Sequence, residues 1–497
     1  MQYPSTPLNS PSYPKGPYFF QNREYFIVYY ESDIESIKKV VPAPLVPKSN
    51  IVAYEWIKMP DSTGFGSYQE SGTVIPCILN GRNINFTTQM FLNDEPPIAA
   101  GREIWGFPKK RADPEFSVHQ DTIYGKLEYN GQTAAWGTMT YKHHEIPEAD
   151  AIRSLTSTSV NLKIIPDVDL KPKICQLVGY NLILKKLHGA WKGSARLHLI
   201  PHANAPTADL PVRKVLYGAH YLADIILPYG EVLYDYLSPE NINKTSPPSY
   251  AFPEEKVRDT LCMPPISPSY TPPPIVFKDR EYFMILYRTK LEALRPLIPD
   301  LFTINKEGRV IVQWIFTKSH GIGAYTKFVV LVPVKDKRGK SFLFEVNEFS
   351  DSSAAITMGR EVYGQPYKYA KPSISVNQDT VLGHLNFSGL DVAQGTMPYK
   401  ESELDESIAM EFLSTPHVNI KLIPNVVGDP EIAQIVSATY TNIKIHSSFK
   451  GRGRLHLIPH ANAPVSDLPV EEVETAFNVT CDLVLPPGKI EHDYLAK

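Results

Sequence analysis

The chain has little cysteine. Its 497 residues include four, Cys77, Cys175, Cys262 and Cys481, far apart and with no Cys-x-x-Cys pair, so neither a disulfide framework nor a thiolate zinc site is expected. It also has little net charge. Lys and Arg total 50 against 53 Asp and Glu, a balance of −3, which offers no general field for nucleic acid or an anionic membrane as partner. No apolar run approaches the ~18 residues of a membrane-spanning helix. The opening Met1-Gln2-Tyr3-Pro4-Ser5-Thr6-Pro7 has neither the basic flank nor the apolar core of a secretory signal, so a cytoplasmic, reducing setting is the expectation. Several chemical fingerprints are missing as well. Gly64-Phe65-Gly66 lacks the third glycine of a dinucleotide turn, and there is no P-loop, His-Glu-x-x-His or Gly-x-Ser-x-Gly. No cofactor and no metal are expected.

What is present is repetition. Arg196-Leu197-His198-Leu199-Ile200-Pro201-His202-Ala203-Asn204-Ala205-Pro206 returns, residue for residue, as Arg454 to Pro464, 258 positions later. Gly101-Arg102-Glu103 returns as Gly359-Arg360-Glu361 at the same offset, and Arg23-Glu24-Tyr25-Phe26 as Arg280-Glu281-Tyr282-Phe283 at offset 257. Spacing this long marks a copied domain, not a solenoid unit of ~20–50 residues. Residues 239–260 between the copies are polar and contain proline, and read as a semi-extended linker. The expected organisation is a domain over 1–238, a linker over 239–260, and a second domain over 261–497.

Each copy is patterned mostly as strand. Glu24–Tyr30, Ile51–Met59, Ile84–Leu92, Thr122–Tyr129 and Thr133–Tyr141 are rich in aromatic and β-branched residues, as strands require. A short helix is expected from Asp33 to about Val41, opened by a capping box of Ser32 with Glu35 and stopped by Pro42, and Thr289 with Glu292 repeats the device. Helices are also expected near Glu148–Leu155 and Glu403–Leu413. The fold class is α+β, mainly antiparallel β, as two tandem barrel- or cone-like domains with peripheral helices.

The stretch that carries chemistry is Gly101-Arg102-Glu103-Ile104-Trp105-Gly106-Phe107-Pro108-Lys109-Lys110. At a reference pKa near ~10.4, roughly one lysine amine in a few thousand is free at pH 7. Apolar burial lowers that pKa and makes the amine a nucleophile toward ketones, and Trp105 and Phe107 are candidate walls. This stretch resembles the active-site segment of the acetoacetate decarboxylase family, Gly-Arg-Glu, a short apolar link, then Pro-Lys-Lys. The resemblance extends through Asn22-Arg23-Glu24-Tyr25, Glu55, Gln69-Glu70-Ser71-Gly72, Asn93-Asp94-Glu95-Pro96 and Ile225-Ile226-Leu227-Pro228, and covers residues 3–238. That family is itself the standing example of a lysine activated by desolvation or a neighbouring cation. The resemblance implies the same fold, a carboxy-lyase that turns a β-keto acid such as acetoacetate into acetone and carbon dioxide, and assembly into homo-oligomers. It implies a catalytic group of Lys109, the imine-forming nucleophile, with Lys110 beside it, Arg23 holding the substrate carboxylate, and Glu55 and Glu70 orienting groups and relaying protons. It also implies a pocket lined by Phe20, Met90 and Phe107. If the segment is extended, Lys109 and Lys110 point to opposite faces, and desolvation outweighs like-charge repulsion as the cause of a lowered lysine pKa.

Comparing the copies separates scaffold from chemistry. Lys109 falls opposite Tyr367, Lys110 opposite Lys368, Glu55 opposite Gln313, and Glu70 opposite Lys327 or Phe328, depending on where a gap is placed; Arg23 keeps Arg280. The second copy is therefore expected to be catalytically inactive, a structural partner to the first. His198, His202, Asn204, Asp209 and Pro211 all recur, as His456, His460, Asn462, Asp467 and Pro469. Since they persist where the nucleophile has gone, they read as scaffold or interface, not as metal ligands. Two alternatives stand beside decarboxylation: a Schiff-base aldolase or dehydratase of the same superfamily, and a non-catalytic binding or assembly protein.

Overall fold

The computed structural model describes residues 5–496; the first part of the opening segment read above for a secretory signal lies outside them. In the first copy the strands that matter here are β1 (Tyr18–Glu31), β2 (Ile51–Met59), β3 (Tyr68–Leu79), β4 (Arg82–Leu92), β5 (Lys109–Arg111), β6 (Ile183–Gly193) and β7 (Lys214–Leu227). They belong to a 13-stranded sheet in which β6, β7, β1, β2, β3 and β4 lie side by side. Pairing is mostly antiparallel, with β5 parallel to β4. A separate four-stranded sheet holds Asp113–His119, Thr122–Tyr129, Gln132–Thr140 and Ala195–Leu199. The second copy repeats the plan with a 12-stranded and a four-stranded sheet. The expected antiparallel architecture with peripheral helices is what the chain adopts. The barrel is not: each large sheet is a path with two edge strands, and no closed barrel forms among the described residues.

Strand β1 shows why the sheet is buried on both sides. Phe26, Val28 and Tyr30 pack into the core under the small sheet, where Phe26 stacks on Trp56 at 5.1 Å. Tyr25 and Ile27, one step out of phase, face a second apolar cluster. This is period-two alternation with both faces covered. The helices are short. They are α1 (Ile34–Val40), α2 (Glu95–Ala100), α3 (Glu148–Thr156), α4 (Glu254–Arg258), α5 (Leu291–Leu294), α6 (Ser353–Met358) and α7 (Glu406–Ser414), and none is long and apolar enough to cross a membrane. The expected capping boxes are absent. Asp33 is the N-cap of α1 and makes no side-chain cap bond, because its carboxylate pairs with Arg213 at 2.6 Å. In the second copy Lys290 takes the N-cap place before α5. The segment 239–260 is not a free linker. It contains α4, and Phe252 and Val257 enter the first copy's core.

The two copies meet through reciprocal contacts, as in an isologous dimer. Arg102 pairs with Glu361 (Nε to Oε1, 2.6 Å), and Arg360 pairs with Glu103 at the same distance, all four buried. The segment that opens each copy lies on the other. Arg102 Nη1 donates to Met263 O and Ser269 Oγ, whereas Arg360 Nη1 donates to Thr6 O and Ser12 Oγ. Where equivalent positions touch across the pseudo-two-fold, unlike residues meet: Ser353 Oγ donates to Glu95 Oε1 at 3.2 Å, and the Arg111 guanidinium lies 3.9 Å from the centre of the Tyr369 ring.

Candidate active site

The sheet register assembles the site. Ile27 pairs with Glu55, Glu55 with Gly72, Gly72 with Met90, and Met90 with Lys109. This row crosses five strands, with Glu55 and Lys109 near its ends and Gly72 between them. At ~4.8 Å per strand, three intervals set their backbones ~14 Å apart. Gly72 leaves the middle open. A Cβ there would sit 2.8 Å from Gln89 O and 3.7 Å from Glu55 Oε1. The next row, Tyr25, Ile57, Glu70 and Leu92, brings Glu70 diagonally against Lys109. Above these rows lies a cavity of about 450 Å³. Phe20, Arg23, Glu55, Glu70, Met90, Phe107 and Lys109 all line it, and Asp150, Arg153 and Ser154 of α3 stand over it.

Lys109 is 6% exposed. Its Nζ lies 2.7 Å from Glu70 Oε1, donates to Pro97 O at 3.2 Å, and sits 5.0 Å from the centre of the Phe107 ring. Burial pulls its pKa below that of an ordinary lysine; Glu70 opposes the shift and the Arg23 charge adds to it. Gly101 makes the side-chain path possible, since a Cβ there would lie 2.8 Å from Lys109 Cδ and 3.2 Å from Nζ. Gly101 opens a single π-helical turn, Gly101–Trp105, of the kind often found at functional sites. Arg23 is buried between the rings of Phe20 and Tyr25, at 5.0 and 4.8 Å. Its Nη2 stays 4.0 Å from Glu70 Oε2, and its Nε has no hydrogen-bond partner among the described residues. Glu55 faces the cavity with no hydrogen bond or ion pair among the described residues, and its enclosure raises the carboxyl to about 7, only partly offset by Arg23.

Lys110 is not in the cavity. Adjacent residues of a strand face opposite ways, and Lys110 Nζ donates to Asn204 O at 2.7 Å and to Ser267 Oγ at 3.0 Å, at the seam between the copies. Lys368 mirrors it on Asn462 O and Ser10 Oγ. The structure thus sets Lys110 at the seam, apart from the cavity residues with which the resemblance groups it. The recurring histidine loop serves the same seam. His202 Nδ1 accepts from the backbone N–H groups of Asn204 and Ala205 and so shapes the turn that offers Asn204 O. Sequence reading missed Tyr25 and Tyr68 as cavity walls and Pro97 as the partner of the amine. Tyr25 shares its face with Ile27, so period two could have found it; the carbonyl of Pro97 leaves no signal.

The second copy fills the corresponding space. Ile57 pairs with Glu70 and Ile315 with Lys327, so Lys327, not Phe328, replaces Glu70. Lys327 is ion-paired with buried Glu348, which stands at the place of Met90; although burial opposes the charge, Glu348 holds this lysine above the ordinary range. Tyr367 lies over Gly359 where Lys109 lies over Gly101. Gln365 replaces Phe107 and donates to Glu345, which also meets His417 at 2.6 Å. A pocket of about 10 Å³ lies beside Glu345 and His417.

Comparison with known proteins follows the same division. The family model described as acetoacetate decarboxylase matches residues 2–237 and again 262–495. The chain is 52% identical over 232 residues to the acetoacetate decarboxylase of Bordetella avium (strain 197N), covering 47% of this chain and 94% of that protein. Against the enzyme of the same name from Acidiphilium cryptum (strain JF-5) it is 53% identical over 232 residues, covering 47% and 95%. A crystal structure of acetoacetate decarboxylase from Legionella pneumophila is 43% identical, covers 46% of this chain and 91% of that one, and superposes with a TM-score of 0.45.

Proposed function

Both halves of the chain belong to the acetoacetate decarboxylase family, and from that premise we propose that the first copy decarboxylates a β-keto acid, with acetoacetate giving acetone and carbon dioxide, through an imine on Lys109. The observation that carries this reading is the placement of Lys109 Nζ, buried, at the end of an otherwise open cavity and 2.7 Å from a carboxylate. The amine adds to the ketone carbon and water leaves, giving a protonated imine. The C–C bond to the carboxylate then breaks, its electron pair passes into the imine as an enamine, and carbon dioxide departs. A proton adds to the α-carbon, and hydrolysis frees the ketone and Lys109.

The remaining residues fit these steps. Arg23 offers a planar donor to the substrate carboxylate, and its loose 4.0 Å approach to Glu70 leaves that donor available. Glu70 can take the amine's proton during addition. Glu55, half protonated near neutral pH, is the proton source for the α-carbon. Phe20, Met90 and Phe107 keep water from the amine. In the second copy, a tyrosine in place of the nucleophile and a paired lysine in place of Glu70 support a structural role for residues 261–497 beside a catalytic domain of residues 1–238.

Borohydride reduction in the presence of acetoacetate, read by peptide mass spectrometry, tests this. The expected result is an adduct on Lys109 with release of carbon dioxide. An adduct without carbon dioxide makes the chain a Schiff-base enzyme of another reaction, and no adduct makes it a binding protein.

A further inference from the structure

Phe20 and Arg23 both line the cavity, yet they are three residues apart on one strand. Strict alternation would send them to opposite faces. The register shows what intervenes. Phe20 pairs with Ile225 and Arg23 with Ala223, so Gln21 and Asn22 together face Asp224 alone. This is a β-bulge, one extra residue that re-aims everything after it. Asn22 takes φ 51° to make it, a left-handed conformation that asparagine tolerates better than most residues. The bulge therefore turns Arg23 inward.

Asp224 pins the bulge from the opposite strand. Its Oδ1 accepts the Asn22 N–H at 2.7 Å and lies 3.0 Å from His188 Nε2. His188 sits in an irregularity of β6 facing the same strand. The arrangement recurs in the second copy. Asp279 has φ 47°, its N–H donates to Asp482 Oδ1 at 3.0 Å, and His446 Nε2 is 2.9 Å from the same oxygen. The Asp279, His446 and Asp482 cluster, which resembles a metal-ligand set, is thus this same clasp, with Lys278 on the other oxygen of Asp482 at 2.6 Å.

We propose that Asp224, bound to the bulge at Asn22 and braced by His188, is a positioning residue for substrate: it holds Arg23 in the orientation that receives the carboxylate. This rests on the decarboxylase reading only in taking Arg23 as the carboxylate donor. Asp224 does not line the cavity, and its partners among the described residues, Asn22 and His188, do not line it either, so its effect is exerted through the backbone.

A double-mutant cycle on the full chain tests this. Asp224→Ala should raise KM for acetoacetate by ~10- to 100-fold, the cost of a displaced orienting group, with a smaller change in kcat. Asp224→Asn, which keeps an oxygen for the Asn22 N–H, should stay within ~3-fold of wild type. In an Arg23→Ala background, Asp224→Ala should change nothing further, because interacting residues are not additive. Borohydride trapping of acetone on Lys109, which needs no carboxylate contact, should be equal in wild type and Asp224→Ala. Additive losses, an unchanged KM, or acetone trapping that falls in step with KM would each overturn the proposal. Should acetoacetate not be decarboxylated at all, the decarboxylase reading fails by itself, and the same cycle is read from butyrate affinity by calorimetry. There, binding that depends on both Arg23 and Asp224, non-additively, upholds the proposal, and butyrate binding that is absent or indifferent to either residue overturns it.

Discussion

Arg102 and Glu361 form a buried ion pair between the two copies, Nε to Oε1 at 2.6 Å, and neither side chain lines the cavity. The Gly-Arg-Glu stretch that leads into Lys109 thus has two duties. Its glycine clears the path of the lysine, while its arginine and glutamate join the copies. This explains why Gly359-Arg360-Glu361 persists beside a site whose lysine has become Tyr367: the seam needs both halves of the pairing whether or not both sites work.

Removal of that pair should be costly. Arg102→Ala leaves Glu361 buried with Tyr270 as its remaining partner, and breaking a buried pair from one side typically costs about 3–5 kcal/mol. Denaturant unfolding should show a loss of this size. A fragment of residues 1–245 should aggregate or unfold, since Arg102, Lys110 and the core around Val257 all lose partners; a soluble, fully active fragment would refute the structural role of the second copy.

The two adjacent lysines should separate cleanly. Lys109→Ala should abolish imine trapping and turnover. Lys110→Ala should keep a measurable rate and lose thermal stability instead, because its ammonium serves the carbonyl of Asn204. No adduct should form on Lys327 or Lys368, and Tyr367→Phe should leave kcat/KM unchanged. Peptide mapping after borohydride reads the adducts, and normal turnover by Lys109→Ala would remove the nucleophile assignment.

The pH dependence follows from two shifts of opposite kind. The amine of Lys109, lowered by burial, becomes free at a pH below that of ordinary lysines, so its acylation rate should rise through an apparent pKa below ~10.4. The Glu55 carboxyl, raised to about 7, is protonated below that pH and ionised above it. If it supplies the proton, kcat should fall as pH rises through about 7. Glu55→Gln should erase that limb and lower kcat by ~10²- to 10⁴-fold. An identical pH profile in the variant would free Glu55 from this role.

Gly101→Ala is the most economical geometric test. The residue has φ −60° and ψ −45°, so alanine is conformationally welcome there, but its methyl would crowd Lys109 Cδ at 2.8 Å. The expectation is a folded protein with kcat/KM reduced by ~10²-fold, the effect of a small displacement of a reacting group. Circular dichroism with steady-state rates checks it, and wild-type activity would show that the lysine has another path.

Much of this was legible in the residues themselves. Aromatic and β-branched runs located the strands, with Ile51–Met59 and Thr122–Tyr129 matching their observed ends. Comparison of the copies singled out Lys109, Glu55 and Glu70 as the variable chemistry. Other features were not readable because they are properties of pairing. The Asn22 bulge exists only opposite Asp224, 202 residues away. The capping boxes failed because the helices start one residue later than expected, with Asp33, paired to a distant arginine, and Lys290 at the N-cap places. The Pro-Lys-Lys resemblance grouped Lys110 with the catalytic residues, and only Asn204 and the partner segment at Ser267 show where its side chain goes.

The contacts at Glu95 with Ser353 and Arg111 with Tyr369 bear on how such a protein can change. When identical subunits meet at a two-fold axis, every substitution is inherited twice and confronts its own image, so a charge there faces the same charge. A tandem gene lifts that rule: one side can mutate while the other stays. At both of these positions the two copies already differ, so the pseudo-two-fold axis is a place where the halves can specialise for each other.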